Sequence, residues 1–101
     1  MGYNRGMVVR VTRAYLDWIN RLPDKTARAR IQVRVDQLAN GNPGDHRQLR
    51  GGVSELRLDF GPGYRVYFTQ RGDTLIVILA GGDKSSQARD IAKAIVLAEG
   101  L

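Results

Sequence analysis

The stretch from Val53 to Lys84, V-S-E-L-R-L-D-F-G-P-G-Y-R-V-Y-F-T-Q-R-G-D-T-L-I-V-I-L-A-G-G-D-K, leaves its backbone little choice. Leu56, Leu58 and Phe60 alternate with Glu55, Arg57 and Asp59. A period of two sends the apolar set to one face of a strand and the charged set to the other. Gly61-Pro62-Gly63 then reverses the chain, because glycine tolerates positive φ and proline presets a turn. In the next run Val66 and Phe68 point one way, and Arg65, Tyr67 and Thr69 the other. Gln70-Arg71-Gly72-Asp73 is a second turn signal. Leu75 to Ala80 is apolar without alternation, which predicts a strand buried on both faces. The three runs form an antiparallel meander. If the first two pair directly, Arg57, Arg65 and Tyr67 share a face.

The flanks read as cover for this sheet. Met7 to Val11 is a short β-branched strand. Thr12 caps a helix over 13–22, where Tyr15, Trp18, Ile19 and Leu22 recur at helical spacing. That spacing marks the two aromatics as core rather than base-stacking residues. Pro23 closes the helix, and Asp24 caps a second one over 25–40 with Ala27, Ile31, Val35 and Leu38 as its buried stripe. Arg30 and Arg34 edge that stripe, with Arg28 near the other side, and are expected to lay their stems over the core boundary. Asn40-Gly41-Asn42-Pro43-Gly44 stops the helix. Asp45 to Gly52 reads as a polar loop holding His46, Arg47 and Arg50. Gly81-Gly82 at the strand end permits tight backbone geometry or close approach of a ligand. Ser85 or Ser86 caps a last helix over 86–98, with Ala88, Ile91, Ile95 and Ala98 on its inner face. Met1 to Gly6 lacks periodicity and reads as a loose tail, with Met7 a second candidate start.

A chain of 101 residues is expected to form one domain with one core, residues 1–101. With no cysteine there is no disulfide framework and no thiolate zinc site, which suits a reducing compartment. No apolar run approaches the roughly 20 residues that span a bilayer, so a cytoplasmic protein without a membrane partner is expected. The formal charge is +6, from 16 Lys plus Arg against 10 Asp plus Glu, and only Lys25, Lys84 and Lys93 are lysines. Such an excess suits polyanionic partners, and arginine's planar fork matches phosphate and carboxylate; the bland alternative is composition bias. Walker, G-x-S-x-G and H-E-x-x-H motifs are absent, and one histidine makes a transition-metal site an unpromising reading. No metal or cofactor is therefore expected. His46, a lone loop histidine, reads as solvated.

What remains is an arginine-bearing sheet face beside a strand-end Asp83-Lys84 pair. RNA cleaves itself when its 2′-hydroxyl attacks the neighbouring phosphorus. A protein accelerates this by aligning the attack, stabilising the added negative charge and moving protons. Arg57 and Arg65 suit the first two tasks, with Arg47 and Arg50 as further phosphate contacts. Lys84 or Tyr67, if like-charged arginines lower their pKa values, could carry protons, with Asp83 assisting.

The segments G-P-G-Y-R-V-Y-F and G-G-D-K-S, with N-x-N-P-G-D upstream, resemble the RelE/ParE toxin superfamily. More narrowly the chain resembles its HigB-like addiction module killer group, also described as phage-derived Gp49-like, over about residues 7–98. The resemblance implies an α+β fold, β-α-α-β-β-β with a C-terminal helix, the antiparallel sheet packed on a helical hairpin. It implies a type II toxin, neutralised by a HigA-like antitoxin of possible helix-turn-helix type, that cleaves mRNA on the ribosome without metal. Arg65 matches the superfamily's phosphate-binding strand arginine; Arg57, Asp83 and Lys84 fall near its other polar positions. The chain departs in two respects. His46 matches no catalytic histidine, and Asp90 to Leu101 lacks the late tyrosine of RelE-like enzymes. Two other readings therefore stand beside the nuclease: a ParE-like toxin that binds DNA gyrase without chemistry, and a degenerate antitoxin-binding protein.

Overall fold

The computed structural model describes residues 7–101, and the expected loose tail at 1–6 lies outside them. The chain runs β1 (Val8–Val11), α1 (Arg13–Arg21), α2 (Lys25–Ala39), β2 (His46–Gln48), β3 (Ser54–Leu58), β4 (Tyr64–Arg71), β5 (Leu75–Asp83), a 3-10 turn (Lys84–Ser86) and α3 (Gln87–Glu99). The sheet order is β1-β5-β4-β3-β2. The expected meander is present: β3 pairs antiparallel with β4, and β4 with β5. At one edge β1 lies parallel to β5, from Val8 opposite Leu75 to Val11 opposite Ile78. A parallel neighbour requires a crossover, and the α1–α2 hairpin supplies it.

Of the three expected caps two form with a side-chain bond, while Ser86 stands at the N-cap position of α3 without one and Ser85 lies in the 3-10 turn. The Thr12 hydroxyl accepts from the Tyr15 N–H at 3.1 Å and donates to the Leu79 carbonyl, joining helix start to strand. The Asp24 carboxylate accepts from the Thr26 and Ala27 N–H groups. Each such cap contributes about 1 kcal/mol.

The sheet buries both faces. On one, Tyr15, Ala27, Ile31, Val35 and Leu38 of the helical hairpin pack on Leu56, Leu58, Val66, Phe68, Ile76 and Ile78. On the other, Ala94 and Ala98 of α3 pack on Val53, Tyr67, Val77, Leu79 and Ala80. This explains the unbroken apolar run of β5, which has a cluster on each side.

Three further expectations are corrected. The loop expected over 45–52 contains β2, pairing antiparallel with β3. Its residues, His46, Arg47 and Gln48, are all polar and exposed, so no alternation advertised them. The β5 strand continues through the double glycine to Asp83. On α3 the inner stripe is Asp90, Ala94 and Ala98, flanked by half-buried Ile91 and Ile95, while Ala88 is exposed. An aspartate on the inner face displaced the stripe that apolar spacing alone predicts.

Candidate nucleic-acid interface

Cross-strand register assembles the candidate residues. Arg57 lies directly opposite Arg65, and Arg65 directly opposite Gly82. One pleat along, Arg47 faces Glu55 and Glu55 faces Tyr67. The period of two places all of these on the α3 side of the sheet. Like charges directly opposite each other destabilise a strand pair, so the Arg57–Arg65 pairing does nothing for the fold by itself.

The two guanidinium groups are held differently. Arg65 is only 5% exposed, and its Nη1 donates to the Gly63 carbonyl at 3.2 Å and the Tyr64 carbonyl at 2.9 Å. Its Nε has no hydrogen-bond partner within the protein. Arg57 is partly open, with its Nε 3.4 Å from the exposed Asp45 carboxylate. Among the described residues no carboxylate lies within ion-pairing distance of Arg65. The two arginines are therefore opposed in backbone register, and neither is locked in a buried ion pair. The face is not an open sheet surface, however: α3 covers much of it, and Arg57 and Arg47 crop out at its margin.

Gly63, in the β3–β4 turn at a φ of 79°, links this pair to Lys84. Its carbonyl orients Arg65, while the Cγ and Cδ of Lys84 lie 2.9 Å from where a Cβ on Gly63 would stand. The aliphatic stem of exposed Lys84 thus lies along the turn that positions Arg65.

Asp83, expected to assist at the site, caps the turn that carries Lys84. Its carboxylate accepts from the Ser85 N–H at 2.8 Å and the Ser85 hydroxyl, capping the 3-10 turn that begins at Lys84. The Ser85 side-chain bond, opposed by slight desolvation and helped by backbone N–H groups, holds its pKa below the usual carboxylate range. Asp83 remains ionised and positions the turn.

Tyr67 reverses the expected direction. Burial pushes its pKa well above the usual tyrosine range, and the nearby Glu55 and Asp90 carboxylates push it further. The Arg65 guanidinium pulls the other way and is outweighed. Tyr67 stays a phenol, able to donate a hydrogen bond but not to accept a proton as a base.

Arg47 makes an ion pair with Glu55 at 3.5 Å, its side chain 58% exposed. Arg50 is exposed in the β2–β3 turn, away from the Arg57–Arg65 row. His46, on β2, has its Nδ1 2.8 Å from the Gly44 carbonyl and faces the hairpin side with Leu56. The double glycine has a packing reason: side chains at Gly81 and Gly82 would run into Trp18 and Asp90 respectively.

For two residues, Glu55 and Arg34, sequence reasoning gave the position but not the partners. Glu55, wholly buried, accepts from the Gln87 side chain of α3 at 2.9 Å. Arg34 reaches from α2 to the carbonyls of Arg57, Pro43 and Asp45 at 2.7, 3.0 and 2.8 Å, tying the β2 approach to β3. Strand alternation exposed Glu55 on paper, and only α3 closes over it. Among the described residues no cluster of three potential metal ligands occurs, and no helix is long and apolar enough to cross a membrane.

This fold, a five-stranded sheet between a helical hairpin and a C-terminal helix, is RelE-like. It aligns with E. coli toxin RelE, solved free as a double arginine-to-alanine mutant, at a TM-score of 0.71 with 14% identity. The alignment covers 90% of this chain and 96% of that one. The family profile described as Phage derived protein Gp49-like (DUF891) matches residues 17–100, and the chain belongs to that family, one of RelE/ParE-like toxins. A Haemophilus influenzae relative described as an uncharacterized protein is 40% identical over 93 residues, spanning 92% of this chain and 94% of its own length.

Proposed function

We propose that this protein is the toxin of a type II toxin–antitoxin system and acts in the cytoplasm as a ribosome-dependent mRNA endoribonuclease. The observation that carries this reading is the direct opposition of Arg57 and Arg65, joined through Gly63 to Lys84. Arg57 makes first contact with the scissile phosphate from the open margin. Arg65, pre-oriented by two carbonyls, supplies a fixed charge behind it, so little reorganisation is needed as negative charge develops. In the reaction the 2′-oxygen bonds to phosphorus as the bond to the 5′-oxygen breaks. The 2′-hydroxyl proton leaves and the departing 5′-oxygen gains one. Lys84, exposed and with its stem along the Gly63 turn, is the group assigned to proton transfer, while Tyr67, enclosed beneath α3, backs the row without meeting the RNA. Arg47 extends the phosphate contact, with Arg50 on the next turn. The antitoxin, in this reading HigA-like, covers Arg47 and Arg57 with an acidic segment.

Induction in growing cells, with transcript 5′ ends mapped, tests the proposal. Cuts within translated frames are expected. Arg65→Ala should reduce them about 10²- to 10³-fold, the usual cost of losing one preorganised donor. Undiminished cutting by Arg65→Ala would remove the site assignment.

A second reading, gyrase inhibition by contact alone, draws support from the absence of a tyrosine in Asp90 to Leu101. It predicts intact transcripts and altered plasmid supercoiling in the same cells.

A further inference from the structure

Beyond the arginine row, β5 continues into a cleft between α1 and α3. Strand β1 accompanies β5 only as far as Ile78, yet β5 runs on to Asp83. Over that extension a cleft of about 500 Å³ opens, floored by Gly81 and Gly82 and bounded by Trp18, Arg21, Asp83, Arg89, Asp90 and Lys93. The volume lies within the range of roughly 300–1,000 Å³ typical of small-ligand sites.

Its chemistry is mixed in an ordered way. Trp18 packs on the core as its spacing predicts, against Tyr15 and edge-on to Tyr64 with centroids 5.9 and 6.3 Å away, but it is only half-buried, and its open part forms an aromatic wall of the cleft. Asp90, 8% exposed and bonded by the Ser86 hydroxyl, presents a carboxylate inside. Arg21, Arg89 and Lys93 are exposed at the rim, and the Arg89 side chain is 81% accessible although its Nε lies 3.9 Å from Asp90.

We infer that this cleft seats one nucleotide of single-stranded RNA flanking the cleaved linkage, an inference that rests on the RNA reading above. A base can stack on the indole, as single-strand binders use aromatic rings. Its amino or sugar hydroxyl groups can donate to Asp90, and its phosphate can meet the cationic rim. An acidic peptide would match the rim but meet Asp83 and Asp90 as like charges, and it has no use for the aromatic wall. Gly82 is the cross-strand partner of Arg65, so the cleft adjoins the proposed phosphate site along one strand path.

Trp18 is the only tryptophan in the chain, so its emission reports the cleft directly. The purified full chain would be titrated with a fluorescently labelled RNA tetranucleotide, reading anisotropy and Trp18 emission together. Anisotropy should rise as Trp18 is quenched. Arg89→Glu and Lys93→Glu, both at exposed positions, should each weaken binding severalfold and reduce the salt slope by about 0.7, the share of one single-strand phosphate contact. Circular dichroism would verify that both variants remain folded. RNA binding with unchanged Trp18 emission and wild-type affinity in both variants overturns the cleft while leaving the nuclease reading intact. Absence of tetranucleotide binding also overturns it, because mRNA cutting in cells is scored separately. Quenching by poly-glutamate but not by RNA reassigns the cleft to an acidic protein segment and overturns it. Quenching by RNA with no mRNA cutting in cells upholds the cleft and sinks the nuclease.

Discussion

Glu55 and Tyr67 are cross-strand partners at 0% exposure, and each keeps an oxygen without a hydrogen bond, Oε2 of the acid and the hydroxyl of the phenol. The carboxylate is drawn to Gln87 on one side and Arg47 on the other. An unmet hydroxyl in a packed interior costs about 1–3 kcal/mol. No partner within the protein offsets that cost, and the side chain is closed off beneath α3.

Tyr67→Phe therefore separates stability from activity. Removal of the hydroxyl should leave stability unchanged or raise it by about 1 kcal/mol, read as the urea midpoint. Transcript cutting should stay within about twofold of wild type, because the enclosed hydroxyl does not meet the RNA. A folded variant that has lost cutting would mean that α3 opens and gives the hydroxyl to the RNA, and a destabilised one that the hydroxyl has a partner in the fold.

Alkaline pH should find the same residue. Burial, aided by Asp36, pushes Tyr15 up to about 12, and burial followed by Glu55 and Asp90 raises Tyr67 as well. In the unfolded chain both ionise near their ordinary value of about 10. A raised folded pKa means that the native state holds its proton longer. Its contribution to stability is complete below about pH 10 and declines as pH rises from there through 12. Absorbance titration at the tyrosinate band should show Tyr15 and Tyr67 ionising late, with unfolding on the same limb.

Gly82→Ala should lift α3. The added methyl would meet the Asp90 carboxylate and stand 2.9 Å from the Ser86 hydroxyl oxygen. Overpacking of this kind typically costs about 1–3 kcal/mol. Shortening the opposing acid with Asp90→Ala in the same chain should recover part of the loss. Additive losses in that double-mutant cycle would show that the two residues do not meet.

Arg34→Ala should cost about 2 kcal/mol in urea unfolding, since three carbonyls lose a charged donor. Arg34→Lys should recover little, because one ammonium cannot reproduce a planar fork aimed at three separate oxygens. Hydrogen exchange should quicken at the Arg57 amide, which donates to Asp45 where β2 meets β3.

How far the letters alone reach depends on the range of the interaction. The meander, its turns, the caps of α1 and α2 and the sharing of a face by Arg57, Arg65 and Tyr67 were legible. Each follows from side-chain alternation, or from a cap and its helix a few residues away. The second face was legible at β5 and in the last helix, but not at Glu55 and Tyr67. Gln87 bonds to Glu55 across 32 residues of sequence, and until α3 docks, Glu55 and Tyr67 look like an exposed acid and an activatable phenol. Strand β2 was invisible for a related reason: three polar residues pair only because β3 offers them an edge. The sequence by itself determined which side chains point to which side of each strand, because that is a property of one backbone. Tertiary structure alone decided which of them keep contact with water, and with it the protonation of Tyr67, because desolvation depends on what another part of the chain lays on top.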